Sequence, residues 1–149
     1  MDNNTNKGFL KKSYKPLFIW FLLLASFAIL YNFVLNTLSI ALSSKATSLL
    51  WLCFVNLMLV SLFLIIYKTE RVYYINYVTY KEALEASGEE RKAFAYKHLV
   101  IFGRAAAMYW VYSAISLILT FPLALDIGVF LVIIIVSAIR TISIRLNKK

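Results

Sequence analysis

Two apolar runs open the chain and limit what it can become. Residues 17–42 and 47–67 contain no acidic or basic side chain. Each exceeds the roughly 20 helical residues that cross a hydrocarbon core. With no water there to satisfy backbone polar groups, such a run must be a helix. A second apolar region, 105–139, is interrupted by "TFPLALD", where Pro122 and Asp126 mark a turn within 120–126. A tight turn at 120–122 leaves a final stretch long enough to span, with Arg140 and Arg145 snorkelling at its end. The expectation is an all-α polytopic membrane protein of four transmembrane helices, with a cytoplasmic helical hairpin between helices 2 and 3. Bulk properties agree: 62% of residues are hydrophobic, 15% are charged and the mean hydropathy is +0.76, outside the range of soluble domains.

The expected divisions are a basic N-terminal tail at 1–16, a first transmembrane hairpin at 17–67, the cytoplasmic hairpin at 68–104, a second transmembrane hairpin at 105–139 and a basic tail at 140–149. Lys11, Lys12 and Lys15 precede the first apolar run as they would in a signal peptide. The run is too long for a cleavable core of about 7–15 residues, so it is expected to remain as a helix.

The net charge of +9 could suggest nucleic acid, but its placement argues for topology instead. Four spans put both termini and residues 68–104 on one side. That side carries Lys7, Lys11, Lys12 and Lys15, then Lys68, Arg71, Lys81, Arg91, Lys92, Lys97 and Arg104, then Arg140, Arg145, Lys148 and Lys149. Of the sixteen basic residues, only Lys45 falls opposite. The positive-inside rule therefore places the termini and central segment in the cytoplasm. The basic excess also suits anionic lipid headgroups, at about 1 kcal/mol per residue near the surface. No nucleic-acid partner is expected. The compactness of the chain points to a bacterial plasma membrane.

The central segment is the one long polar passage. Tyr73, Tyr77, Tyr80 and Leu84 recur at spacings of four, three and four, which on a helix is one face. "VYYINYVTY" has strand-like composition, yet a lone strand would leave its backbone unpaired, so a helix continuing the second span is expected. Ser87 and Glu90 then form a capping-box pattern that starts a second helix, on which Phe94, His98 and Ile101 share a face. Tyr73, Tyr77, Tyr80, Leu84, Phe94 and His98 are the candidate partner-binding residues.

Within the membrane, Asn32, Asn36, Ser39 and Ser43 follow helical spacing on the first span, and Tyr109, Ser113, Ser116 and Thr120 on the third, with Asn56 near the middle of the second. These positions, Ser43 apart, form a candidate polar intramembrane face, suited to interhelical hydrogen bonds or to lining a pathway. No ionisable residue lies at mid-span, the usual mark of ion-coupled transport, although a passive pore needs none.

Catalytic signatures are lacking: there is no HExxH, GxSxG or Walker A pattern. Cys53, the single cysteine, cannot form an intramolecular disulfide or a CxxC site. His98 is expected to hydrogen-bond a tyrosine of the opposing arm, and Asp126 to cap a turn at the outer surface. No cofactor, metal or enzymatic activity is expected. The chain reads as a small interaction or regulatory membrane protein, an accessory subunit or immunity-type protector, that binds a membrane protein partner. Self-association into a homo-oligomeric channel or transporter component is the alternative.

Overall fold

The computed structural model describes residues 12–37, 42–75 and 77–146, with every side chain among them except those of Asn32, Leu35 and Asn36. The described chain is all-α. Its helices are α1 (Lys15–Thr37), α2 (Ser44–Thr69), α3 (Tyr80–Glu85), α4 (Gly88–Leu119) and α5 (Leu123–Ile142), with a 3-10 turn at Val72–Tyr74. Three of them, α2, α4 and α5, are long and apolar enough to cross a membrane, and α1 adds a shorter apolar stretch at Lys15–Tyr31. By that length and hydropathy the chain is a multi-pass membrane protein.

Consecutive long helices pack antiparallel. At one end of α2, Cys53 Sγ donates to Ser113 Oγ (3.5 Å), while Phe63 stacks on Phe102 (4.5 Å between centroids) further along. Tyr109 of α4 meets Phe130 of α5 edge-on at 5.3 Å. The first helix is tied to α2 by Trp20, whose indole N–H reaches Met58 O and Ser61 Oγ, and by Tyr31, whose hydroxyl donates to Thr47 O at 2.8 Å. Phe27, stacked on Phe54, fills the space between those anchors. Helix α4 is central: its buried positions run from Arg91 to Ser116, whereas those of α5 are Asp126 and Ser137. The large apolar side chains left exposed on α1 and α5 suit contact with lipid.

At 32 residues, α4 is about 48 Å long, well beyond a hydrocarbon core of about 30 Å. Its first turns therefore project from the bilayer. They carry Glu89, Glu90, Arg91, Lys92 and Lys97. The expected capping box is present, with Glu90 N donating to Ser87 Oγ and Ser87 N to Glu90 Oε2. The tight turn is present as well: α4 ends in Thr120, which is left-handed, and α5 starts after Pro122.

One expectation about the helices fails. Helix α2 does not continue through the tyrosines but stops at Thr69, where Glu70 turns left-handed at φ 57°. Tyr77 is left-handed too, at φ 75°. A second capping box, Thr79 with Glu82, then starts the short α3. The connection is thus a turn, a bend and a short helix rather than one rigid arm, so Tyr73, Tyr77, Tyr80 and Leu84 share no helical face.

Candidate functional site

Two polar centres lie at opposite ends of α4. The first begins with Glu70. Its reversed backbone directs the carboxylate back over the start of α4, where Oε2 accepts from Arg91 Nε (3.1 Å) and Nη2 (2.8 Å). Lys92 approaches Oε1 at 3.3 Å. Arg91 Nη1 also donates to Ala83 O and Ala86 O, so a guanidinium that is 1% exposed joins α2, α3 and α4. Burial of that charge is tolerated because its donors meet a carboxylate and carbonyls. Gly88 leaves the room: a Cβ there would stand 3.3 Å from Glu70 Oε2.

Beside this clasp, the tyrosines divide into two groups. Tyr73 is buried, edge-on to Tyr80 (5.2 Å) and Tyr14 (5.7 Å). The Ser13 carbonyl accepts from Tyr73 OH, Tyr74 OH and Arg71 Nη1, anchoring the chain just before α1 to the connection after α2. Burial pushes the Tyr74 phenol above its ordinary pKa, against the opposing pull of Arg71. Tyr77 does the opposite and stands 86% exposed, with Leu84 43% exposed.

Under Tyr77 opens a cavity of about 940 Å³ between α2, α4, α5 and the connection, lined also by Phe94, His98 and Phe102. The His98 ring lies at 4.6 Å from Phe94 and stacks on Phe63 at 5.9 Å. Its Nδ1 donates to Phe94 O at 3.0 Å, not to a tyrosine as expected. Of the six candidate partner-binding residues, Tyr77, Phe94 and His98 thus meet around one cavity. Tyr73 and Tyr80 belong to the packed cluster, and Leu84 faces outward.

At the other end of α4 lies a centre that the sequence reading placed at the surface. Asp126, in the first turn of α5, is fully buried. Its Oδ1 accepts from Ser116 Oγ (2.6 Å) and Tyr112 OH (2.9 Å). Oδ2 takes no hydrogen bond, and Lys45 Nζ stands 3.8 Å from it. Lys45 itself donates to Ser116 O and Phe121 O, both at 2.6 Å. Each charge also suits its helix end: the ammonium meets the carbonyl terminus of α4 and the carboxylate the amide terminus of α5.

This centre consumes much of the candidate polar face. Tyr109, Ser113 and Ser116 are buried as a continuous strip, with Ser113 Oγ donating to Tyr109 O and Tyr109 OH to Asp126 O (3.4 Å). Asn56 is buried opposite and donates to Leu52 O. Thr120 departs from the strip as an exposed, left-handed helix end. The remaining candidates, Asn32, Asn36 and Ser39, lie outside the described side chains. Ser43 caps α2, its hydroxyl accepting from Ala46 N.

Among the described residues no group of three or more His, Cys, Asp or Glu stands close enough to hold a metal. No protein-family model matches the sequence, and no curated protein and no solved structure matches it. Sequence reasoning missed Arg91 and the Lys45–Asp126 pair. A signal existed for Arg91, which lies three and seven residues before Phe94 and His98 and so on their face. Asp126, flanked by "LAL" and "IGVF", likewise sits in apolar surroundings.

Proposed function

We propose that this chain is a non-enzymatic interaction or regulatory protein that docks a membrane protein partner on the platform carrying Tyr77. In this reading α1 is the fourth span, the termini and platform face the cytoplasm, and the membrane is a bacterial plasma membrane. The orientation rests on the one-sided distribution of basic residues.

The observation that carries the proposal is Tyr77 itself. A large aromatic is 86% exposed on a left-handed backbone, a conformation that costs a non-glycine residue of order 1–3 kcal/mol and is concentrated at functional positions. Its neighbours Tyr73 and Tyr80 are packed, and the Arg91–Glu70 clasp braces the connection from below. Tyrosine is enriched among binding hot spots, and aromatic residues suit the level where a bilayer meets water. The intrachain hydrogen bonds of Ser113, Ser116 and Tyr109 give the channel reading less support.

The test is tagged protein purified from its native membrane in mild detergent, with co-purifying proteins identified by mass spectrometry for wild type, Tyr77→Ala and Lys81→Ala. A single membrane protein retained by wild type and Lys81→Ala, and lost at least tenfold by Tyr77→Ala, is the expected result. Equal recovery by all three would overturn docking at Tyr77.

A further inference from the structure

The cavity below Tyr77 has a chemistry of its own, independent of whether Tyr77 docks a protein. Thirteen of its nineteen lining residues are aliphatic, alanine or phenylalanine. Its volume, about 940 Å³, lies at the upper end of the range of about 300–1,000 Å³ that encloses drug-sized ligands. Tyr74, Tyr77, Glu82, His98, Thr141 and Arg145 supply its few polar groups. A concave, mostly apolar surface of this size suits an apolar ligand with a polar end.

The surroundings indicate its source and orientation. Stacked Phe63 and Phe102 close one end. Along α5 the wall is formed by Ile135, Ile139 and Ile142, each more than half exposed, so the cavity is continuous with a lipid-facing surface. Arg145 lies at the opposite end, just beyond the last turn of α5, exposed and in no ion pair among the described residues. The lining carboxylate, Glu82, is directed to the start of its own helix, where Oε2 accepts from Thr79 N at 2.9 Å. A mostly apolar cavity with an exposed guanidinium among its lining residues matches a hydrocarbon chain that ends in a carboxylate.

We propose that this cavity binds one long-chain fatty acid, its chain lying between α2, α4 and α5 and its carboxylate paired with Arg145. The ligand enters sideways from the bilayer along α5. Tyr77 and His98 line the space, and Tyr77 covers it on the water side.

Binding of radiolabelled palmitate to the full-length protein in detergent micelles tests the proposal, beside native mass spectrometry of the same samples. One palmitate per chain is expected for wild type. Arg145→Gln alters only an exposed side chain and should weaken binding at least tenfold. Ala138→Trp fills the cavity and should abolish binding, while Leu131→Trp, on α5 but outside the lining, should leave it intact. Lysophosphatidylcholine, which has a similar chain without net negative charge, should compete at least tenfold less well than oleate. Unchanged affinity in Arg145→Gln, equal competition by lysophosphatidylcholine, or a two-chain phospholipid retained in the cavity in place of palmitate would overturn it.

Discussion

Three residues in the described chain other than glycine hold a positive φ, and each does so for a different reason. At Glu70 the strain is offset by an ion pair and by the end of α2. Replacing Arg91 leaves that carboxylate and two carbonyls without their buried partner, so Arg91→Ala should destabilise by about 3–5 kcal/mol. Arg91→Lys should recover little, because an ammonium cannot reproduce the forked contacts. Unfolding in mixed micelles measures both. Thr120 ends α4, its N–H donating to Ser116 O, and its side chain forms no ion pair. It is β-branched, exposed and left-handed at φ 55°, so Thr120→Gly should stabilise by about 0.5–1 kcal/mol in the same assay. Tyr77→Gly should also raise stability while removing the aromatic that the docking proposal requires, a trade between stability and activity that is common at functional positions.

Among the helices, the Lys45–Asp126 pair links the start of α2 to the turn between α4 and α5. Removing the ammonium alone leaves an uncompensated buried carboxylate. Lys45→Met should therefore cost about 2 kcal/mol, less than the 3–5 of a fully buried pair because Lys45 retains some solvent. The double variant Lys45→Met with Asp126→Leu should recover most of that loss, and a double-mutant cycle reads the coupling. The sequence anticipates much at this scale where local chemistry decides. Apolar length gives α2 and α5, the Ser87–Glu90 pattern gives the start of α4, and helical spacing gathers Tyr109, Ser113 and Ser116. Elsewhere a distant partner decides. Nothing between Leu62 and Tyr80 forbids a helix, as there is no glycine or proline there. The chain turns at Glu70, where Arg91, twenty-one residues away, takes its carboxylate. Asp126 likewise became a buried site only when Lys45 and Ser116 were brought beside it.

Taken as a whole, the molecule is asymmetric along the bundle. One end is a small closed charge pair, while the other carries the hydrophobic cluster of Ile66, Val72, Tyr73, Ala83, Phe94 and Ala95, the large cavity and the exposed Tyr77. The proposed topology places these ends on opposite sides of the membrane. In a Cys53→Ser background, Ser44→Cys should react with a membrane-impermeant maleimide in intact cells, whereas Lys81→Cys should react only after lysis. The reverse pattern would invert the protein, and labelling of both in intact cells would break the four-span reading.

Docking at the Tyr77 end is the central claim, and site-specific photo-crosslinking tests it most directly. A benzophenone amino acid at position 77, irradiated in native membranes, should yield one discrete adduct with another membrane protein, absent when the probe is moved to lipid-facing Leu30. Adducts with lipid alone, or with a second copy of this chain alone, would contradict it.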